Sequence, residues 1–317
     1  MSTLNSMQKD SKIYVAGHRG LAGSAILRAL QTGGYTNIIT RTRSELDLTS
    51  DSKVKEFFDT EKPEYVFLAA AKVGGIGDNN AHPADFIFDN LRIQTNIIDS
   101  SYRSGVKKIL FLGSSCIYPK MAQIPIKEES FMNGPLEETS KAYAVAKIAG
   151  VTMCQSYNKQ YGMKAISVMP TNLYGPNDNF DPETSHAFAA FLYKFHKAKE
   201  NNEKEVVVWG TGSPKREFLH SDDLASACIF LMDNYDDSEI INIGTGEDIA
   251  IKDLVESIKN IVGYEGDVVW DSTKPDGTPR KVMDVSKINN LGWKHKINLD
   301  EGIKIAYDWY KENKHLL

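Results

Sequence analysis

The chain has 317 residues, of which 41% are hydrophobic and 25% charged, and its formal net charge at pH 7 is -5. A chain of this length is expected to fold as a globular protein of about two domains and to bury its core without disulfides. The negative charge argues against nucleic acid as the main partner, because phosphate binding needs a basic surface. It leaves room for a small anionic ligand held by a few local arginines and lysines.

Neither a membrane segment nor a secretory signal is expected. No apolar run reaches the roughly 18 residues of a membrane span, and Met1–Lys12 is polar and lacks the apolar stretch of a signal peptide. Cys116, Cys154 and Cys228 cannot form a disulfide framework and contain no C-x-x-C pair that would suggest zinc. The sequence therefore predicts a cytoplasmic protein without a metal site.

Short apolar runs alternate with longer helical patterns over the first 170 residues. The runs predict strands at Lys12–Ala16, Asn37–Thr40, Tyr65–Ala69, Lys108–Leu112 and Lys164–Met169. The segments between them predict helices at Ser24–Thr32, Ser52–Asp59, Pro83–Ser104 and Ala142–Tyr161. Apolar runs of four to six residues suit strands covered on both faces. The alternation therefore indicates an α/β fold with a doubly wound parallel sheet of the Rossmann type.

The pattern changes after Pro170. Thr171–Thr184 is rich in Asn, Pro, Gly and Asp and is expected to be irregular. Further helices are predicted near Ser185–Asn201, from Ser221 onwards, near Ile251–Val262 and near Asn298–Glu312, with strands at Glu205–Trp209 and Ile240–Ile243. We therefore expect one domain over 1–170 and a smaller C-terminal α/β domain over 171–317, with a segment near 218–248 that returns to the first sheet.

A glycine-rich loop, Gly17-His18-Arg19-Gly20-Leu21-Ala22-Gly23, follows the first predicted strand and opens the first helix. Glycines at this spacing let the backbone approach a pyrophosphate, and the start of the helix supplies N–H donors. The alternative is a plain strand-to-helix turn. The position of the loop at the first strand of an α/β pattern favours dinucleotide binding by the domain over 1–170.

The end of the second predicted strand indicates which dinucleotide is bound. An Asp or Glu at this place is typical of NAD enzymes, because it binds the ribose 2′-hydroxyl. Here the strand continues into Thr40-Arg41-Thr42-Arg43, and Arg19 lies in the glycine loop. Guanidinium groups match a 2′-phosphate in geometry and charge. The sequence therefore predicts NADPH/NADP+ rather than NAD, with a solvated basic turn as the alternative.

Tyr143 and Lys147 are four residues apart on one face of a predicted helix. An ammonium near a phenol favours the phenolate, so this pair could exchange a proton with a substrate oxygen. Tyr143 also follows the strand that ends in Gly113-Ser114-Ser115, at the sheet edge where α/β folds bind ligands. Three other pairs share the spacing but lie beyond Pro170, where we expect solvated helix faces: Tyr193/Lys197, Tyr307/Lys311 and Tyr310/Lys314.

The glycine loop, the strand-end serine and the Tyr143/Lys147 pair resemble the extended short-chain dehydrogenase/reductase family. Four further segments resemble one branch of it, the GDP-L-fucose synthase family: Ala69–Ile76, Leu112–Pro119, Pro170–Pro176 and Lys274–Lys281. The resemblance implies a bifunctional NADPH-dependent enzyme that acts on GDP-4-keto-6-deoxy-D-mannose. Such an enzyme epimerises C3 and C5 and reduces the C4 ketone, which yields GDP-L-fucose. The resemblance also implies a homodimer built on the helices Pro83–Ser104 and Ala142–Tyr161.

The resemblance implies a catalytic role for five residues. Tyr143 would protonate the C4 oxygen, Lys147 would hold the nicotinamide ribose and lower the pKa of the tyrosine, and Ser114 would bind the carbonyl. Inversion needs an acid and a base on opposite faces of the sugar, and these roles would fall to Cys116 and His186 in either order. Without the resemblance, a free cysteine is more often a buried small hydrophobe, and His186 has no motif of its own.

Binding residues follow from the glycine loop and the resemblance together. For the cofactor they are Gly17, His18, Arg19, Gly20, Leu21, Gly23, Arg43, Asp47, Leu48, Leu112, Ser114, Lys147, Pro170, Leu173 and His186. For the GDP-sugar they are Lys194, Trp209, Arg216, Asp276 and Lys281, all in the second domain. Charged groups suit a diphosphate and an indole offers an aromatic wall. Lys194 departs from the family pattern, where relatives often carry arginine, so bidentate phosphate binding is not expected there.

Other functions would require different residues. A 4,6-dehydratase would carry Thr-Asp-Glu near the strand-end serine, where Ser114-Ser115-Cys116 stand, and a 4-epimerase with bound NAD would favour an acid where Arg41 and Arg43 are found. Another NADP-dependent nucleotide-sugar reductase or epimerase remains the main alternative. A non-catalytic NADP-sensing protein is a distant one, because it could dispense with the Tyr143/Lys147 pair.

Overall fold

The computed structural model describes residues 6–182, 184–274 and 276–316. The first five residues and Pro275, which belongs to the fourth family segment, lie outside the described residues. In chain order the strands are β1 (Ile13–Ala16), β2 (Ile38–Ile39), β3 (Tyr65–Leu68), β4 (Lys108–Leu112), β5 (Ala165–Pro170), β6 (Asn172–Tyr174), β7 (Glu205–Trp209), β8 (Lys215–Arg216), β9 (Phe218–His220), β10 (Ile241–Ile243), β11 (Ile249–Ala250), β12 (Asp267–Asp271) and β13 (Arg280–Lys281). The helices are α1 (Leu21–Thr32), α2 (Asp51–Glu61), α3 (Ile76–Ala81), α4 (Pro83–Arg103), α5 (Lys141–Tyr161), α6 (Ala187–Glu200), α7 (Ser221–Asn234), α8 (Ile251–Val262), α9 (Ser286–Leu291) and α10 (Leu299–Asn313).

Six parallel strands form the central sheet, in the order β10-β5-β4-β3-β1-β2. Every residue of β1, β3, β4 and β5 is buried, because α1 and α7 pack on one side of the sheet and α2, α4 and α5 form the other layer. The predicted α/β fold with a doubly wound parallel sheet is confirmed. Since the strands are parallel, the residues that follow β1, β3, β4 and β5 all lie at the same edge of the sheet.

Lys108, the first residue of β4, is a charged residue in this mainly apolar sheet, and its side chain is 4% exposed. Its ammonium donates to the carbonyls of Met232 and Tyr235, both at 2.7 Å, and pairs with Asp236 at 2.7 Å. The lysine therefore satisfies the carbonyls at the end of α7, which have no partner inside the helix. A buried charge is tolerated here because it is paired and fully hydrogen-bonded.

The C-terminal half contains three small sheets, β11-β8-β13, β12-β7 and β6-β9. A second hydrophobic cluster lies among α6, α8 and α10 and includes Leu192, Phe195, Ile258 and Ile303. The expectation of solvated faces for the last two Tyr/Lys pairs is wrong. Tyr307 and Tyr310 are 6% and 3% exposed, because both rings pack into this cluster. Only the ammonium groups of the paired lysines reach solvent.

Most predicted elements agree with the structure, and their ends differ by less than one helical turn. The stretch Thr171–Thr184 differs, because it contains β6, which pairs in parallel with β9. Its partner lies far along the chain, so composition alone could not reveal the strand. None of the helices in the described part of the chain is both long and apolar enough to cross a membrane.

Candidate active site

The glycine loop is folded tightly against the strand edge. Gly17 has a φ of +84°, and a Cβ there would lie 2.8 Å from the backbone of Ala70, which follows β3. A Cβ on Gly23 would lie 2.1 Å from the carbonyl oxygen of Gly17, so α1 begins directly under the loop. By contrast, a Cβ on Gly20 would meet nothing closer than 3.7 Å. The loop and the first turn of α1, from Leu21, thus leave their outer side open to a ligand.

His18 supplies a further sign that this loop receives a ligand. Its Nδ1 atom is buried and has no hydrogen-bond partner among the described residues. Burial and the neighbouring Arg19 lower the pKa of the imidazole. An unsatisfied buried nitrogen beside glycines without side chains, at the start of a helix, fits the pyrophosphate of a dinucleotide.

The two arginines after β2 are in different environments. Arg41 donates to Glu61 at 2.6 Å and to the carbonyl of Thr40 at 2.8 Å, so its guanidinium is committed within the protein. Arg43 is exposed, as is Arg19 in the glycine loop. Arg43 and Arg19 therefore remain the candidates for binding the 2′-phosphate, and Arg41 does not.

Asp47 and Leu48 lie in the loop between β2 and α2. The carboxylate of Asp47 accepts from the backbone N–H and the hydroxyl of Thr49, at 3.0 and 2.8 Å, and these bonds lower its pKa. The carbonyl of Leu48 accepts from the Asn96 amide at 2.9 Å. Both predicted cofactor residues are thus held by hydrogen bonds, which fix the loop beside Arg43.

Tyr143 and Lys147 lie in the first two turns of α5, against the end of β4. The Lys147 ammonium is buried, donates to the carbonyl of Leu112 at 2.7 Å and lies 5.7 Å from the centre of the Tyr143 ring. The Ser114 side chain acts to lower the pKa of Tyr143, and it accepts from the backbone N–H of Cys116 at 3.2 Å. The structure thus brings together four residues that the sequence analysis selected.

Helix α5 can approach β4 this closely because it carries a glycine where the two meet. A Cβ on Gly150 would lie 2.4 Å from the Phe111 ring. The Gln94 amide of α4 also donates to the Ala146 carbonyl at 2.6 Å, which ties α5 to its neighbouring helix. This packing fixes the position of Lys147 along α5 so that its ammonium reaches the Leu112 carbonyl.

The pKa values in this cluster differ from the expectation that Lys147 lowers the pKa of Tyr143. Burial raises the pKa of Tyr143, and the neighbouring Ser114 side chain opposes this only in part. The ammonium of Lys147 is directed to Leu112 rather than to the phenol oxygen. Burial also lowers the pKa of Lys147 to about 8, so at neutral pH the lysine is mainly charged and the tyrosine is a neutral phenol.

Cys116 and His186 come from separate parts of the chain. Burial raises the pKa of the Cys116 thiol, while Ser114 and the charges of Lys281 and Lys147 act in the opposite direction. His186 is the residue before α6; desolvation by the surrounding protein lowers the pKa of its imidazole, although part of the ring is accessible. At neutral pH Cys116 is therefore a protonated thiol and His186 an uncharged imidazole.

The position of His186 depends on the loop after β3. The backbone N–H of Gly75 donates to the carbonyl of Thr184 at 2.8 Å. The loop after β3 is also fixed by Asn79 of α3, whose amide donates to the carbonyls of Gly74 and Gly75 at 2.7 and 3.0 Å. The sequence analysis did not single out Asn79 or the similar buried Asn90, because a lone asparagine carries no motif and other polar residues surround both in their helices.

Pro170 and Leu173 complete the strand edge. Pro170 is the last residue of β5, and Leu173 lies in β6 directly beyond it. The backbone N–H of Thr171 between them donates to Ile243 of β10 at 3.0 Å. This hydrogen bond holds the predicted cofactor residues Pro170 and Leu173 at the sheet edge shared with Gly113 and Ser114.

The predicted substrate residues form two adjoining groups. In the first, the Lys194 and Lys274 ammoniums lie 5.9 and 5.4 Å from the ring of Trp209, which is 67% exposed. Lys274 was not among the predicted ligands. In the second group, Arg216 of β8 and Lys281 of β13 lie opposite each other on neighbouring parallel strands. Burial lowers the pKa of Arg216, and the nearby Asp276 opposes this effect.

Thr211 connects the two groups. It follows Trp209 by two residues and donates its N–H and hydroxyl to Asp276 at 2.9 and 2.6 Å. Burial lowers the pKa of Lys281, and the thiol of Cys116 is the first of the groups that oppose this effect. Lys281 is therefore close enough to Cys116 to respond to a thiolate charge there. Among the described residues, no cluster of side chains suited to a metal ion is found.

Comparison with known proteins identifies the family. The model of the NAD dependent epimerase/dehydratase family matches residues 13–244, and the chain belongs to that family. A relative from Arabidopsis thaliana, named "Putative GDP-L-fucose synthase 2", is 62% identical over 307 residues, which cover 97% of this chain and 94% of the relative. The resemblance to the GDP-L-fucose synthase family that the motifs indicated is thereby confirmed.

Two solved structures share the whole fold. A GDP-6-OMe-4-keto-L-xylo-heptose reductase from C. jejuni is 44% identical, with a TM-score of 0.94, and the match covers 98% of this chain and 100% of that one. A GDP-L-fucose synthetase from Naegleria fowleri bound to NADP is 29% identical, with a TM-score of 0.92, over 99% of this chain and 98% of that one.

Proposed function

We propose that the protein converts GDP-4-keto-6-deoxy-D-mannose to GDP-L-fucose by epimerisation at C3 and C5 and reduction at C4 with NADPH. The sequence-based prediction of an NADP-dependent enzyme of the GDP-L-fucose synthase type is confirmed by the relatives. The observation that carries the mechanism is the convergence of Tyr143, Ser114 and Cys116 beside Lys147, with Lys281 of the C-terminal half acting on the same thiol.

Reduction of the C4 ketone needs a proton at the oxygen and a hydride at the carbon. When bound, NADPH supplies the hydride. Tyr143 is in the form that donates a proton, because burial raises its pKa. Ser114 hydrogen-bonds the same oxygen and orients it. Lys147, fixed by the Leu112 carbonyl, holds the nicotinamide ribose.

Epimerisation uses the same ketone. A C4 carbonyl makes the hydrogens on C3 and C5 acidic, since the resulting charge delocalises onto the oxygen, where Tyr143 and Ser114 stabilise it. Cys116 and His186 exchange the protons on the two faces of the ring. Because the resting site holds a thiol and an uncharged imidazole, one residue can give a proton while the other takes one.

The direct test is incubation of the purified protein with GDP-4-keto-6-deoxy-D-mannose and NADPH. We expect loss of NADPH absorbance and a product that NMR identifies as GDP-L-fucose. Tyr143→Phe should abolish NADPH oxidation, because it removes the proton donor, and leave slow hydrogen exchange at C3 and C5. Consumption of NADPH without formation of the L-sugar would contradict the proposal.

A second candidate is a reductase for a GDP-4-keto sugar that does not epimerise its substrate, which the likeness to the C. jejuni heptose reductase favours. The same reaction in deuterated water separates the two. Epimerisation places deuterium at C3 and C5 of the product, whereas reduction alone leaves both carbons unlabelled.

The domain division at residue 170 is also proposed. Two features support it: β10 lies beside β5 in the central sheet, which fits a returning segment near 218–248, and the second hydrophobic cluster lies wholly beyond Pro170. In this division the part over 1–170 binds NADP and the part over 171–317 binds the GDP-sugar. Limited proteolysis with and without NADP+ should show ligand protection chiefly in the first part.

We further propose a cytoplasmic homodimer that pairs α4 and α5 of two chains. In support, these helices pack side by side, and Tyr102 and Tyr161 at their ends stack at 4.4 Å while remaining 36% and 47% exposed. The free thiols of Cys116, Cys154 and Cys228 suit a reducing compartment. Sedimentation analysis should give the mass of a dimer, and replacement of both tyrosines by lysine should give the monomer.

A further inference from the structure

Glu217 is a fully buried carboxylate that the mechanism does not use. Its side chain is 0% exposed, and it makes no ion pair in the described part of the chain. Instead, Oε1 accepts from the backbone N–H groups of Thr245 and Gly246 at 2.7 and 2.8 Å, and Oε2 accepts from the N–H of Met283 at 2.9 Å. The Thr245 hydroxyl adds a longer contact to Oε1 at 3.5 Å. A buried carboxylate held mainly by backbone donors is unusual, since isolated buried carboxylates are strongly destabilising.

The three donors come from two different parts of the fold. Thr245 and Gly246 follow β10 of the central sheet, whereas Met283 lies two residues beyond β13. Gly244 also makes room for this side chain, because a Cβ on it would lie 2.1 Å from Oε1. The carboxylate therefore links the segment after β10 of the central sheet to the segment that carries Lys281.

The backbone of Glu217 also joins the central sheet to β13. Its N–H donates to the carbonyl of Lys281 at 3.2 Å. Its carbonyl accepts from the Asn172 amide at 2.7 Å and the Thr171 hydroxyl at 3.3 Å, both directly after β5. One residue thus contacts the ends of β5 and β10 on one side and β13 on the other.

We propose that Glu217 is a positioning residue, which fixes the strand pair β8 and β13 at the edge of the central sheet. This inference rests on the proposed function, since Arg216 of β8 and Lys281 of β13 are the proposed ligands of the GDP diphosphate. Neighbouring residues of extended chain point to opposite sides. Glu217 is therefore directed into the protein while Arg216, half-buried beside Asp276, is directed to the substrate.

The acceptor chemistry of a carboxylate is essential to this role. Both oxygens of Glu217 face backbone N–H groups, so an amide at this position would turn its NH₂ group toward a donor at one end. Either the loop at Thr245 or the strand at Met283 would then have to move. Because the loop is tied to the central sheet, the shift should fall on β13 and displace Lys281.

The test compares Glu217→Gln with Asp223→Asn in the full chain. Asp223 is a matched control, because it is also a buried acid, 4% exposed, that accepts two backbone N–H bonds, from Lys296 and Ile297 at 3.0 and 2.9 Å, and it is no part of the proposed site. Calorimetry measures the affinity for GDP and for NADP+ separately, and thermal melting measures stability.

We expect Glu217→Gln to weaken GDP binding by roughly tenfold, which corresponds to about 1.4 kcal/mol. Affinity for NADP+ should stay within about twofold, as should both affinities of Asp223→Asn. Equal weakening of GDP and NADP+ by Glu217→Gln, or no weakening of either, would overturn the proposal, since a residue that only stabilises the fold cannot separate the two ligands.

If Glu217→Gln does not fold, Glu217→Asp takes its place and must show the same selective loss of GDP affinity; an equal loss for both ligands again overturns the inference. The proposed function fails separately. A wild-type protein that binds GDP but does not turn over the GDP-4-keto sugar refutes the function and leaves the role of Glu217 standing, whereas a wild-type protein that does not bind GDP refutes both.

Discussion

The backbone N–H of Gly75 donates to the carbonyl of Thr184 at 2.8 Å, which joins the loop after β3 to the loop before α6. The fit between the two loops is close, because a Cβ on Gly75 would lie 2.5 Å from the Ser185 carbonyl oxygen. His186 follows at once, so the contact determines where the imidazole lies relative to the catalytic cluster.

Gly75→Ala is therefore expected to damage epimerisation more than reduction. The added methyl group pushes residues 184–186 away, and a displacement of about 1 Å can slow a reaction by roughly a hundredfold. Deuterium incorporation at C3 and C5 measures epimerisation, and NADPH oxidation with an already epimerised ketone measures reduction. Gly77→Ala is the control, because a Cβ there meets nothing within 4 Å. Equal loss of both steps would show that Gly75 supports the fold rather than His186.

Arg43→Ala should raise the KM for NADPH much more than the KM for NADH. A charged hydrogen bond to the 2′-phosphate is worth about 1.5–3 kcal/mol, so we expect a selective increase of at least roughly tenfold. Arg41→Ala provides the comparison, since Arg41 is paired with Glu61 and should affect stability rather than the choice of cofactor. If Arg43→Ala raised both KM values equally, the 2′-phosphate assignment would be refuted.

Cys116→Ser should slow epimerisation by about a hundredfold or more, since it removes one of the two groups that exchange protons with the sugar. Reduction of an already epimerised ketone should continue, because Tyr143 and Ser114 remain in place. Cys154→Ala is a suitable control: Cys154 is equally free of disulfides but is a buried residue of α5 that belongs to the hydrophobic core. A Cys116→Ser variant that lost both reactions in parallel would argue against separate roles.

The pH dependence of kcat/KM for NADPH should reflect Lys147. Burial lowers the pKa of its ammonium to about 8, so the positive charge is present below that pH and is lost above it. We expect kcat/KM to fall as the pH rises through about 8, since this parameter reports groups of the free enzyme. The residual activity of Lys147→Met should lack this descending limb. A limb that persists in Lys147→Met would have to come from another group.

Much of the fold could be predicted from the sequence because it depends on local patterns. The buried strands read as continuous apolar runs, and β4 matches its predicted bounds from Lys108 to Leu112. The strand β6 was missed because its partner β9 lies more than forty residues along the chain. The burial of Tyr307 and Tyr310 was missed for a similar reason, since the cluster that covers them comes from α6 and α8.

The site residues likewise fall into those that a local pattern marks and those that it does not. Tyr143, Lys147 and Ser114 could be selected from spacing and strand position, whereas Cys116 and His186 depended on the resemblance to a family. Glu217 was not selected, because nothing in the local pattern distinguishes it from an ordinary exposed glutamate. Its significance comes only from the backbone donors that surround it.

The sequence by itself determined the alternation of the main strands and helices, the dinucleotide loop, the preference for a 2′-phosphate and the tyrosine–lysine pair, because each depends on neighbouring residues. The tertiary structure decided the protonation states and the distances between parts. Burial, which depends on the whole fold, raises the pKa of Tyr143 further above neutrality and brings the Lys147 pKa to about 8. Contacts such as Gly75 with Thr184, and Glu217 with Met283, join segments whose separation along the chain hides their proximity.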